Sequence, residues 1–391
     1  MYFETFYNRY QLDDDILKKI GFNPYYLKVQ SALNETLFIE GKEVIDLASN
    51  NYLGIANDSR IKKAAIKAIN KYGVSLCATP IALGFSDLYN EASLRLSSFI
   101  GVESSIIYPS CYQANNGLFS VIASKDDVII IDQYAHSSLV EGARAIGCKI
   151  RPFLHNNLNN LEKNLKYSGK YNQIIVVTES VFSTEGSIAP FKSIVELCKK
   201  YNALPVIDDS HGIGVLGKNG KGILEHEGLN NYDGVYTASL GKSLANFGGV
   251  IGGKKSLIDY LKYYSSHLVY STALPPHILA GIIEALNIIG NEFDVLSKKM
   301  WDSRNKLRDA LIKHGYQLTP SVAPIVSIIT GTTEDTLLFA KTLFENKIIS
   351  TPFVYPSVPK DKGVIRLIAG ANLSENSLKK VISCFRLLKS G

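Results

Sequence analysis

QIIVVTESVFSTEGSIAPFKSIVELCKKYNALPVIDDSHG, residues 173–212, carries two apolar runs of strand length, QIIVVTES and LPVIDDS, with the helical pattern SIVELCKKY between them. Strand, helix and strand in that order predict two parallel strands joined by a crossover and buried on both faces. The alternation continues outward. SSIIYPS (104–110), DVIIIDQ (127–133), GVYTASL (234–240) and GGVIGG (248–253) read as further strands of one sheet. The expectation is an α/β layer structure with a mainly parallel sheet. In such sheets functional groups gather beyond the carboxyl ends of the strands. The polar clusters fall there: Ser110 to Asn115, Asp132 to Ser138, Glu179 to Ser183, Asp208 to His211, and Ser239 to Lys242.

After about residue 275 the texture changes. PPHILAGIIEALNIIG reads as a long helix, followed by a separate lysine-rich helix around Trp301 to Lys313. APIVSIIT and GVIRLIAG read as strands, and ENSLKKVISCFRLL as a closing helix. This predicts an N-terminal segment (1–50), a large domain (51–275) and a smaller α+β domain (276–391). The strand pair ETLFIEGKEVIDLAS lies against the smaller domain or bridges the two.

Composition narrows the function. Of 391 residues 46% are hydrophobic and 20% charged, a globular balance rather than a disordered one. Five scattered cysteines with no CxxC pair point to a reducing, cytoplasmic setting. MYFETFYNRYQLDDD has neither the basic nor the apolar region of a signal peptide, and no apolar run reaches bilayer length. The net charge of +6 is too mild and too dispersed for a nucleic-acid binder.

Several motifs exclude themselves. HGIGVLG (211–217) contains GxGxxG, but it runs into another turn, GKNGKG, where a dinucleotide fold needs a helix. The histidines show no metal-ligand spacing, so no metal is expected.

Others point to chemistry. TASLGKSLANFGGVIGG (237–253) places Lys242 among small, hydroxylated and apolar residues with no acid beside it. A lysine whose stem packs on apolar surface is the ordinary reading; an amine kept unpaired to attack a carbonyl is the functional one. VIDDSHG delivers Asp208 and then His211 to a strand end, as a helix cap or as the carboxylate a pyridinium nitrogen requires. His136 follows a strand in DQYAHSS. SCYQANN looks like a helix start, either a plain cap or a phosphate site made of free N–H groups.

Together these motifs resemble the α-oxoamine synthases, fold-type I pyridoxal 5′-phosphate (PLP) enzymes. That family includes 8-amino-7-oxononanoate synthase, serine palmitoyltransferase, 5-aminolevulinate synthase and glycine C-acetyltransferase. The resemblance runs from about residue 22 to the end through ASNNYLG, SCYQANNG, DQYAHSSLVEGAR, TESVFSTEGSIAP, VIDDSHGIGVLGKNGKG, TASLGKSLANFGG, YSTALPP and VIRL. It implies a homodimer with active sites at the interface. It also implies decarboxylative condensation of a small L-amino acid (serine, alanine or glycine) with an acyl thioester carried on CoA or acyl carrier protein. By the same resemblance Lys242 carries PLP and shuttles protons, Asp208 pairs with the ring nitrogen, His211 contacts the ring hydroxyl and His136 stacks on the ring. The amides of Cys111 and Tyr112 and the Ser239 hydroxyl hold the phosphate, with Ser271 and Thr272 reaching that of a partner subunit. Glu179 and Ser183 line the pocket, and Asn50 and Arg366 bind the substrate carboxylate.

The chain departs from the family at Pro80, Tyr89 and Ser93, where relatives carry arginine, histidine and glutamate, and at Cys111, where glycine is usual. DQYAHSSLVEGA leans towards alanine-using synthases. NPYY, HNN and TPFVYPSVP look closer to serine palmitoyltransferases and a longer acyl donor. Two competing expectations remain: a fold-type I aminotransferase or lyase acting without a thioester, and a non-catalytic regulatory subunit. Retention of Lys242, Asp208 and His136 argues against the last.

Overall fold

The computed structural model describes residues 3–10 and 14–390. A hairpin opens the chain, with β1 (Thr36–Ile39) antiparallel to β2 (Lys42–Asp46) and Thr36 opposite Ile45. Seven strands then build the main sheet: β3 (Ser104–Tyr108), β4 (Val128–Asp132), β5 (Lys149–Phe153), β6 (Ile174–Glu179), β7 (Leu204–Asp208), β8 (Val235–Ser239) and β9 (Gly249–Gly253). Their order is β3-β9-β8-β7-β6-β4-β5. The five strands from β8 to β5 run parallel, while β9 is antiparallel to both β8 and β3. Every residue of β4 and β6 is buried, polar Asp132 and Glu179 included. Helices cover both faces, so polar groups gather at the strand ends, most of them here at the carboxyl ends.

The six strands legible in the sequence are all present. β5 was not, and its composition explains why. KIRPF alternates charge and proline with apolar residues and buries fully only Phe153, as an edge strand can.

The C-terminal part contains β10 (Val326–Gly331), β11 (Ile348–Ile349), β12 (Thr351–Phe353) and β13 (Gly363–Leu367). β10, β13 and β12 form an antiparallel sheet, whereas β11 pairs in parallel with β2 and draws the hairpin into this part of the molecule. Ile45 and Leu47 share one apolar cluster with Leu307, Ile365, Val381 and Phe385.

One expectation needs correcting. The two helices read between residues 276 and 313 are a single helix, Pro276–Lys313, of 38 residues. The polar stretch between them is not a break in the chain; Phe293 and Met300 stay buried while their neighbours face solvent. Polarity there records exposure, and the helical spacing of apolar residues continues through it. The first half of the helix packs in the main core and its Leu307 and Leu311 in the second cluster. Among the described residues, no helix is long and apolar enough to cross a membrane.

Candidate active site

The carboxyl ends of β6, β7 and β8 bring three residues side by side: Glu179 registers with Asp208, and Asp208 with Thr237. Asp208 Oδ1 accepts the N–H of Ser210 at 3.0 Å and Oδ2 accepts the side-chain amide of Asn115 at 2.8 Å. The Ser210 hydroxyl accepts the N–H of Ser239 at 2.8 Å, which locks the ends of β7 and β8 together. Glu179 accepts the N–H of His136 at 2.6 Å. Burial, reinforced by the charge of Asp208, holds the Glu179 carboxyl well above the usual range.

Lys242 lies in the loop that joins antiparallel β8 and β9. The loop is closed by Leu240 N–H to Gly248 O at 2.9 Å and by Asn246 N–H to Leu240 O at 3.1 Å. Ala245, bonded to the Lys242 carbonyl at 2.9 Å, adopts φ +54°, a left-handed turn that L residues rarely take. Lys242 is half-buried, and no hydrogen bond or ion pair to its amine is found among the described residues. Burial pulls its pKa down against the opposing pull of Asp208, Cys111 and Glu179. An amine so placed is a better nucleophile and base near neutral pH than a solvated one.

Two histidines flank this lysine. His136 caps the helix Ser137–Ala145: its Nδ1 accepts the N–H of Ser138 at 3.2 Å and stands 2.9 Å from the Ser138 hydroxyl. Burial, aided by Lys242, lowers its pKa although Asp208 opposes. His211 is buried, its Nδ1 2.8 Å from the hydroxyl of fully buried Tyr52, and burial pushes its pKa well below the usual value.

A second set of buried polar atoms comes from β13 and from the segment that follows β2. Arg366 on β13 is 6% exposed, and burial lowers its pKa. Its Nη1 donates to the Ser183 carbonyl at 3.3 Å, its guanidinium lies 5.0 Å from the Phe353 ring centre, and its Nε is buried without a partner. Asn50 Oδ1 is also buried and unpartnered. The segment holding it runs beside β13, through Ile368 N–H to Leu47 O at 2.9 Å. Two orphaned polar atoms of opposite kind on adjoining segments are what a bound carboxylate and amine would satisfy.

The helix Cys111–Ile122 begins at the capping residue Ser110, whose hydroxyl accepts the Gln113 N–H at 3.1 Å. The N–H groups of Cys111 and Tyr112 have no carbonyl within the helix to bond, and the helix dipole favours an anion beside them. Gly249 makes this approach possible, since a Cβ there would sit 2.4 Å from the Cys111 Cα. Ser239, at the end of β8, accepts the Gly241 N–H on its hydroxyl at 3.2 Å and donates its own N–H to Ser210, whose hydroxyl is 3.5 Å from Cys111 Sγ. Ser271 accepts the Gln113 side-chain amide at 3.2 Å within its own chain, and Thr272 is exposed. Free N–H groups at a helix start, an unpaired lysine and a strand-end carboxylate, all at one edge of the sheet, fit the phosphate, aldehyde and ring nitrogen of PLP.

Gly212 of HGIGVLG and Gly222 of the turn after it have a different use. Side chains at Gly212 or Gly222 would meet the carboxylate of Asp209 within 2 Å, so they make room for that buried acid. Asp209 accepts the Ile223 N–H and the Tyr236 hydroxyl, both at 2.9 Å, and burial raises its pKa to about 7.

The departures from the family pattern are inward-facing. Pro80 opens a wide turn, Pro80–Gly84. Tyr89 is fully buried with its hydroxyl donating to the Ile107 carbonyl, and Ser93 is buried against Ser105. Cys111 turns its thiol towards Asp208 at 3.9 Å and Ser210 at 3.5 Å, and burial raises its pKa.

Sequence reasoning assigned no role to Asn115, Ser138, Ser210 or Tyr52. One signal was available: Asn115 stands four residues after Cys111, hence on the same helix face, and asparagine is a poor helix former whose burial asks for a reason.

The family model for aminotransferase class I and II matches residues 42–385. The 8-amino-7-oxononanoate synthase of Thermoanaerobacter pseudethanolicus is 36% identical over 370 residues, spanning 94% of this chain and 93% of that protein. Its counterpart from Thermosipho melanesiensis is 35% identical over 379 residues and spans 97% of each. Among solved structures, serine palmitoyltransferase from S. paucimobilis has a TM-score of 0.92 at 23% identity, covering 99% of this chain and 97% of that one, a likeness in fold. The 8-amino-7-oxononanoate synthase from Francisella tularensis has a TM-score of 0.76 at 25% identity, covering 89% and 98%.

Proposed function

From the premise that this chain belongs to the class I and II aminotransferase family, in its α-oxoamine synthase branch, we propose that it condenses a small L-amino acid with an acyl thioester, releasing carbon dioxide and free thiol. PLP, when bound, supplies an electron sink conjugated to the amino-acid Cα. Lys242 would hold it covalently, and once displaced by substrate would take the proton from Cα and later return one. Asp208 would keep positive charge at the ring nitrogen. His136 would cover the ring face, and His211, held by Tyr52, would meet the ring hydroxyl. Cys111 and Tyr112 N–H groups and the Ser239 hydroxyl would take the phosphate, with Glu179 and Ser183 lining the pocket. Arg366 and the Asn50 amide N–H would orient the substrate carboxylate, so that the bond to be broken stays aligned through both steps, with Asn50 Oδ1 left to accept from the amine.

The single observation that carries this reading is geometric: Lys242, with no hydrogen bond or ion pair to its amine among the described residues, stands in the loop just after β8, the strand paired with β7 and its terminal Asp208. The relatives' name supports a choice of amino acid. An 8-amino-7-oxononanoate carries its amine at C8 and a methyl at C9, the fragment that alanine leaves after losing its carboxyl. Alanine is therefore the proposed donor of nitrogen here, with the thioester supplying the oxo carbon. A homodimer working in the cytoplasm accords with the exposed Leu83 and Tyr270, 81% and 84% accessible, and with the scattered thiols.

The test is a matrix of glycine, alanine and serine against acyl-CoAs of graded length, with thiol release and product mass measured. Alanine should give thiol and an amino ketone, and Lys242→Ala should give neither. Absence of thiol release from every pairing, or a 2-oxo acid formed without any thioester, would overturn the proposal.

A further inference from the structure

Asn115 sits between two residues that the proposed function uses. Its amide nitrogen donates to Asp208 Oδ2 at 2.8 Å and to the Ser138 hydroxyl at 2.9 Å, so both hydrogens are committed; its contact to Cys111 Sγ, at 3.8 Å, is long and weak. Its Oδ1 is buried and has no partner. A buried orphan acceptor needs a reason, and here the reason is directional. Turning the amide over would set Oδ1 against the Asp208 carboxylate, acceptor facing acceptor. Because the Ser138 oxygen accepts from Asn115, its own hydrogen is available to His136 Nδ1 at 2.9 Å, where the Ser138 N–H also donates at 3.2 Å. Two donors aimed at Nδ1 leave the ring proton on Nε2.

We propose that Asn115 and Ser138 are positioning residues that hold His136 neutral with its proton on Nε2, through a hydrogen-bond chain anchored on the Asp208 carboxylate. The residues that the proposed function assigns to the ring nitrogen and to the ring face would thereby be set by one network. Burial, which lowers the His136 pKa, works in the same direction. The catalytic use of this tautomer rests on the PLP reading above; the tautomer itself does not.

The test is nitrogen NMR of the histidine rings in the full-length protein, with and without added PLP, alongside PLP dissociation constants by equilibrium dialysis. In the wild-type protein His136 should show a bare Nδ1 and a protonated Nε2. Asn115→Ala and Ser138→Ala should each increase the share of the Nδ1-protonated form and weaken PLP binding about tenfold. The double variant should bind no more weakly than the weaker single one, because both act through one chain. A protonated Nδ1 in the wild-type protein, an unmoved tautomer in Ser138→Ala, or additive losses would overturn the inference. Should Asn115→Ala fail to fold, Ser138→Ala decides alone. The expected tautomer in a protein that binds no PLP supports this inference while sinking the proposed function.

Discussion

Arg366 reaches the main-chain carbonyl of Ser183 at 3.3 Å, and that bond is the first of four in a row. Thr184 O accepts the Ser327 hydroxyl at 2.6 Å, Glu185 O the Thr319 hydroxyl at 2.9 Å, and Gly186 O the Ser321 hydroxyl at 3.3 Å. The turn after β6 is thus stitched, carbonyl by carbonyl, to the part of the chain that supplies Arg366.

Arg366→Lys should raise KM for the amino acid about tenfold or more while changing kcat less. A lysine keeps the charge but not the planar fork that can bond Ser183 and a carboxylate together. Steady-state kinetics against amino-acid concentration checks this. A KM within twofold of wild type would remove Arg366 from substrate binding.

Tyr52→Phe leaves His211 Nδ1 buried with no hydroxyl beside it. The expected cost is about 1–2 kcal/mol in urea unfolding, with little change in overall fold by circular dichroism.

His155 gives a pH signature. Burial pulls its pKa down, but hydrogen bonds to Asp132 at 3.0 Å and Glu185 at 3.1 Å overcome that and hold it at about 9, above the ordinary 6.5. A folded-state value above the unfolded one stabilises fully below about pH 6.5, and the contribution disappears as pH rises through 9. The loss should be on the order of 3 kcal/mol between those limits. Urea midpoints should fall from pH 6.5 to 10, and His155→Gln should flatten that slope.

Gly249→Ala would drive a methyl group into the backbone at Cys111, which has no side-chain freedom to move aside. A loss of about 1–3 kcal/mol should accompany weaker PLP retention after dialysis. Gly41, with nothing within 4 Å of a Cβ but φ +73°, serves as the control: alanine there should cost some stability without affecting PLP.

The main sheet was readable because its strands are nearly continuous apolar runs, as burial on both faces demands. β5 escaped because an edge strand tolerates Lys149, Arg151 and Pro152. Lys242 and Asp208 could be singled out locally, one by its missing partner and the other by its strand end. Asn115 offered only its helix face as a hint and Ser138 none, since the contacts that give them a role span 93 and 23 residues: Asn115 on Asp208, and Asn115 on Ser138. Hydrogen-bond chains of this kind are properties of the folded arrangement rather than of spacing. The continuous helix was misread for the opposite reason, because solvent-facing polarity at residues 291–299 resembles a linker.

That helix has a mechanical consequence. At 1.5 Å per residue its 38 residues run about 57 Å, with one end clamped in each apolar cluster. A rod anchored at both ends resists hinging, so the two halves of the molecule cannot swing apart without bending it.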